Sequence, residues 1–113
     1  MTRYYQCRKD GTPLYPAQPE PGQKHDAGKP RYDLMPVHAE AEMVDVLTFG
    51  AEKYGAENWR KVEKQRYIAA AGRHRAAYRM GEMYDPETGK HHLAHAMCCD
   101  AFVIELDLQE SEK

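Results

Sequence analysis

Between Arg73 and Asp100 the chain carries Arg73, His74, Glu82, Asp85, His91, His92, His95 and Asp100, and four of its six histidines lie in this run. A helical bundle needs no such density of imidazole and carboxylate, so the run marks a candidate site for a metal ion, a phosphate, or both. His92 and His95 are three apart and His91 and His95 four apart, spacings that put side chains on one helical face about 5–6 Å apart at Cβ. His74 falls within the apolar stripe of the preceding helical segment, where antiparallel packing would turn it toward the same interior. Glu82 and Asp85 follow that segment and offer hard oxygen ligands suited to Mg²⁺ or Mn²⁺. The plainer reading makes His74 a hydrogen-bonded core residue and leaves His91 and His92 solvated in a first helical turn. A zinc site built from His91, His95 and Cys98 or Cys99 can be drawn, but paired thiolates from separate segments are the usual pattern, and a buried free cysteine is the commoner state.

A second stretch, FGAEKYGAENW, sets Lys53, Asn58 and Trp59 near a helix end. A cation, an amide and an indole there suit a base stacked on the ring with its phosphates by the lysine, although Trp59 and Tyr54 could equally cap the core. Upstream, GKPRYDL places Lys29 and Arg31 just before a helix start, where phosphate would meet basic side chains and a positive helix end together. Glu42 and Asp45 make an ExxD pair able to hold a divalent cation, with Glu40 and Glu52 on the same helix; a solvated charged face explains these acids equally well.

The elements that must hold these residues are helical. Val37, Ala41, Val44, Leu47, Thr48, Ala51 and Tyr54 recur at three- and four-residue steps and predict a helix from Met35 or Pro36 to about Gly55. Tyr67, Ala70, Ala71, His74, Ala77 and Tyr78 predict a second from about Gln65 to Gly81, and Leu93, Met97, Ala101, Ile104 and Leu108 a third from about Lys90 to Leu108. Ala94, Cys98 and Phe102 widen that last stripe, which makes the third helix the most buried. The expected fold is therefore all-α, a small bundle of three to four helices. Six of the seven prolines lie at or before Pro36 and forbid a helix there. Residues 1–25 read as an irregular arm with a hairpin signal at Asp10 and Gly11 and a proline-rich linker, and residues 26–110 as the helical domain.

At 113 residues one small domain is expected, with self-association into a homo-oligomer to supplement a modest core. Sixteen basic residues against eighteen acidic ones argue against coating duplex nucleic acid, while leaving room for a compact anionic ligand. Three cysteines, two of them adjacent, do not make a disulfide framework. With no apolar leader and no membrane-spanning run, the expected location is the cytoplasm.

From about Asp26 to Leu108 the chain resembles the bacteriophage family named for the N-terminal domain of dATP/dGTP diphosphohydrolase, relatives of the MazG-like nucleotide pyrophosphohydrolases. The resemblance rests on four ordered blocks: DAGKPRYDLMP, VLTFGAEKYGAENW, RYIAAAGRH and GEMYDPETGKHHLAHAMCCDAF. It implies a MazG-like bundle that cleaves a purine deoxynucleoside triphosphate between its α and β phosphates, with a divalent cation, Mg²⁺ or Mn²⁺, as cofactor. By position it makes Glu42, Glu52, Glu82, Asp85, His92 and His95 the metal candidates, with Asp100 behind them. Lys29, Arg31, Lys53 and Arg73 become candidates for the phosphates and Asn58 and Trp59 for the base, while Glu82, His95 and His74 would carry the catalysis. The chain departs from the wider superfamily where helix two offers Arg73 and His74, and helix three HLAH, in place of carboxylates. Three consequences stay open: a softer metal than Mg²⁺, phosphate held by protonated histidines, or lost catalysis. In the last case the protein would be a sponge that retains a purine or cyclic signalling nucleotide. A helical interaction module with structural histidines is the remaining alternative.

Overall fold

A computed structural model of the chain describes residues 9–10 and 22–111. The chain divides into two units, Met1–Tyr32 and Asp33–Lys113. The hairpin expected around Asp10 and Gly11 falls outside the described residues, apart from a turn at Lys9 and Asp10. A short 3₁₀ turn at Tyr32–Leu34 falls at the boundary, and in the second unit three helices follow in order, α1 (Val37–Tyr54), α2 (Lys64–Arg79) and α3 (His92–Ser111), with a further 3₁₀ turn at Asn58–Lys61. No strand occurs among the described residues, only an isolated antiparallel bridge between Tyr84 and His91. The fold is a small all-α bundle, and no helix among the described residues is long and apolar enough to cross a membrane.

Each helix lies within three residues of where its periodicity placed it, because end signals frame the stripes. Pro36 holds extended backbone immediately before α1. Gly55, with φ 96°, ends that helix and donates its N–H to Ala51 O at 2.8 Å. After α2 the chain makes a Schellman turn: Gly81 N–H donates to Tyr78 O at 2.9 Å and Glu82 N–H to Ala77 O at 3.0 Å. That turn needs left-handed backbone at Gly81, where φ is 104°.

α3 is the central helix. Its buried residues are His92, Ala94, Ala96 and Cys98. Residues two apart on a helix point to nearly opposite sides, so burial at this spacing means that α3 is covered on two faces. One face meets α1 through a core of Val46, Ala94 and Cys98, edged by Met43, Met97 and Phe102. The other meets α2, where His74 reaches His92 and Ala71 is fully buried. Ion pairs pin the α2–α3 seam along its length, from Arg75 to Asp100 at 3.0 Å to Lys64 with Asp107 and Glu110 at 2.8 and 3.0 Å. Small residues, Ala71, Ala94, Ala96 and Cys98, are the ones most fully buried along the seams, while several larger apolar positions remain outside. Val44, Leu47, Ile104 and Leu108, read as core from the stripes, are between 40% and 58% exposed.

Candidate functional site

The Schellman turn that closes α2 aims the next residue back at α3. Glu82 Oε1 lies 2.6 Å from Nε2 of His92, which is 5% exposed. His92 is thus a buried residue, which overturns the solvated first-turn alternative. Its Nδ1 faces Nδ1 of His74, 2.8 Å away. The His95 ring stacks on that of His74 with centroids 4.5 Å apart and planes 8° from parallel.

The connection from Glu82 to His91 is held by its own polar groups. Asp85 N–H donates to Lys90 O at 2.8 Å, Gly89 N–H to Asp85 O at 2.7 Å, and His92 N–H to Met83 O at 2.9 Å. Asp85 Oδ1 accepts the Glu87 N–H at 2.9 Å in an Asx turn, while Oδ2 stands 3.7 Å from His95 Nε2. Thr88 Oγ1 accepts the Lys90 N–H at 3.2 Å and pairs with His95 Nε2 at 2.8 Å. The turn composition DPETG therefore does more than reverse the chain, since it delivers a buried carboxylate and a hydroxyl to the imidazoles. Asp85 was expected there; Thr88 was not, and its only sequence signal was its place in that turn.

His91 has a different duty. Its Nδ1 accepts the Leu93 N–H at 3.0 Å, capping the first turn of α3, and its ring lies between Tyr78 and Tyr84. Cys98 faces α1 and donates its S–H to Met43 O at 3.4 Å. Burial pushes its thiol up to about 12, and it does not join the ligand atoms gathered at His74, Asp85 and His92. Cys98 and Cys99 are both free.

Among the described residues one group of three ligand-bearing side chains has donor atoms all within 4.8 Å of one another: His74, Asp85 and His92. Glu82 and His95 stand against this group through His92 and Asp85. Glu42 is exposed on α1, Asp45 is engaged by Lys90 at 2.9 Å, and Asp100 by Arg75, so the ExxD pair does not join the cluster. Burial, followed by the neighbouring His95, lowers the His74 pKa below its ordinary value. Burial likewise lowers that of His95 against the opposing pull of Asp85. Both imidazoles are neutral at pH 7, which suits metal ligation or hydrogen bonding and weakens the alternative of phosphate held by imidazolium.

The cluster opens into a groove of about 1360 Å³ between α1 and α2, floored by α3. Lys53, Asn58, Trp59, Arg73 and Glu52 line it together with His74, Asp85 and His95. Arg66 and Thr88 also line it, and neither was singled out from the sequence. Trp59 stacks on Phe102 with centroids 4.7 Å apart, and the Arg60 guanidinium lies over its ring at 4.3 Å. A base stacked on the indole would have to displace that guanidinium. Lys29 and Arg31 belong to the first unit, where Lys29 N–H closes a turn onto Asp26 O at 3.0 Å.

Fold and site together define a small helical domain with a histidine–carboxylate centre at one end of a wide, cation-bearing groove. The chain belongs to the family described as dATP/dGTP diphosphohydrolase, N-terminal, which it matches over residues 19–113. It is also 37% identical over 75 residues to a dATP/dGTP diphosphohydrolase of Salmonella phage PMBT28. That similarity covers 66% of this chain and 26% of the relative, so the chain corresponds to about a quarter of the relative's length. No solved structure matches the chain significantly.

Proposed function

We propose that this domain is the nucleotide-handling part of a metal-dependent purine deoxynucleoside triphosphate pyrophosphohydrolase, acting on dATP or dGTP in the nucleotide pool of a phage-infected cell. The observation that carries this reading is the groove, which unites Lys53, Arg66 and Arg73 with the centre formed by His74, Asp85 and His95. Its volume of about 1360 Å³ exceeds what a small ligand needs, roughly 300–1,000 Å³, and leaves room for a base, a sugar and an extended triphosphate. In this reaction a water oxygen bonds to phosphorus and the α–β P–O bond breaks with its electron pair passing to the bridging oxygen. The products are the nucleoside monophosphate and pyrophosphate.

Lys53, Arg66 and Arg73 bind the phosphate chain and set its direction along the groove. His95 would accept a proton from the attacking water at Nδ1, the nitrogen left with a lone pair when Nε2–H donates to Thr88 Oγ1. A divalent cation at the histidine–carboxylate cluster would neutralise phosphate charge and lower the pKa of bound water. Asn58 is half-buried at the groove wall and is the group best suited to read a base edge. Incubation with dATP or dGTP and a panel of divalent cations, with pyrophosphate as the readout, tests the proposal. Release of pyrophosphate that His95→Ala abolishes is the expected result. Tight retention of unchanged nucleotide with no turnover would overturn it in favour of a sponge.

The same reading includes a homo-oligomer in the cytoplasm. Val37, Val44 and Leu47 on α1, and Ile104 and Leu108 on α3, are 40–75% exposed and supply apolar side chains that a second copy would cover. Sedimentation equilibrium reads the assembly directly, and a monomer at all concentrations would remove this part.

A further inference from the structure

The two Nδ1 atoms of His74 and His92 lie 2.8 Å apart. Two metal–nitrogen bonds of about 2.1 Å meeting near a right angle span about 3.0 Å, so a small opening of this pair lets two imidazoles share one cation. Asp85 completes a set of three donors within 4.8 Å, and Asp85 and His92 are both more than nine-tenths buried. The remaining question is whether the lone pairs face the right way, and Glu82 answers it for His92. A carboxylate only accepts at 2.6 Å from Nε2, so in the neutral ring the His92 proton sits on Nε2 and Nδ1 presents its lone pair. Without a cation, His74 fills that space by donating its Nδ1–H to His92; with one, the His74 proton moves to its own Nε2. Asp85 is likewise pre-set, since Oδ1 is occupied by the Glu87 N–H while Oδ2 faces the imidazoles.

We propose that His74 Nδ1, His92 Nδ1 and the Asp85 carboxylate form a single transition-metal site, selective for ions such as Mn²⁺, Fe²⁺, Co²⁺ or Zn²⁺ over Mg²⁺, with Glu82 as its positioning residue and not a ligand. Two imidazoles and one carboxylate are the donors that borderline cations take, whereas Mg²⁺ holds oxygen ligands and keeps its water. A carboxylate behind a ligating histidine fixes the tautomer and raises the basicity of the ring. This deepens the proposed activity by naming the cofactor class, and it stands on donor geometry independent of any nucleotide.

The test uses the full chain stripped with a chelator and titrated with Co²⁺, read by visible absorption and by thermal shift. The expected result is one saturable Co²⁺ per chain, with visible bands that Zn²⁺ displaces and a hundredfold excess of Mg²⁺ leaves untouched, and a rise in melting temperature that Zn²⁺ also produces. His74→Gln and His92→Gln each abolish the absorption bands, with helix content checked by circular dichroism. Glu82→Gln keeps the fold and weakens Co²⁺ by about 10- to 100-fold. His91→Gln, whose native ring is already occupied by a backbone N–H, binds normally. Absence of bands in the wild type, their survival in both histidine variants, or equal competition by Mg²⁺ would overturn the proposal. A Co²⁺ site without nucleotide turnover would sink the diphosphohydrolase reading alone, and turnover without a Co²⁺ site would sink this one alone.

Discussion

Replacing Gly81 by alanine tests the link between the end of α2 and the histidine–carboxylate cluster. At φ 104° the residue lies in left-handed backbone, and a Cβ added there would meet no heavy atom within 4 Å. Any cost of Gly81→Ala is therefore backbone strain, about 1–2 kcal/mol for an L-residue held in that region. Gly72 offers the matched control. It sits in the middle of α2, exposed and equally free of neighbours, so Gly72→Ala should stabilise by about 0.5–1 kcal/mol through helix propensity. In a domain of this size 1 kcal/mol moves the melting temperature by about 4–8 °C, so the two variants should separate in opposite directions from the wild type. Urea denaturation of both, with unchanged slopes, gives the free energies directly. Because Glu82 follows Gly81 in the Schellman turn, the Gly81 variant should also weaken Co²⁺ binding, and the Gly72 variant should not. Two variants shifted in the same direction, or a Gly81 variant as stable as the wild type, would refute the argument.

Cys98, with its thiol pushed up to about 12 by burial, should resist alkylation in the folded chain at pH 8 and react only after denaturant is added, as peptide mass spectrometry can show. The folded pKa exceeds the unfolded one, so this thiol's contribution to stability is whole below about pH 9 and is lost as pH rises toward 12. Wild type should accordingly lose more stability than Cys98→Ala between pH 8 and 10.5, and equal losses would exclude the effect. Trp59→Ala should cost about 2–3 kcal/mol in nucleotide-free protein, less than a fully buried tryptophan, because the indole is half-buried against Phe102. Trp59→Phe should recover most of that loss. A nucleotide-free stability equal to wild type would assign the indole to ligand contact alone.

The sequence determined the helices. Apolar residues at steps of three and four, with Pro36 before α1, Gly55 after it and Gly81 after α2, are local signals, and local backbone energetics is enough to place such elements. The density of histidine and carboxylate between His74 and His95 marked the stretch in which a buried cluster forms, and the ordered blocks identified the family. Only the tertiary structure decided the individual roles. Four histidines look alike in the chain, yet His91 caps α3, His74 and His92 share one space, and His95 leans on Thr88 and Asp85. Likewise Glu42 and Glu82 are equally plausible as acids, and the Schellman turn places one beside His92 while the other stays in solvent. The reason is physical: periodicity reports that a face is covered, whereas the orientation of a ring nitrogen depends on partners distant in the chain. Ala71, Ala94 and Ala96 are among the residues most fully buried along the seams, while large apolar side chains such as Leu108 stay exposed.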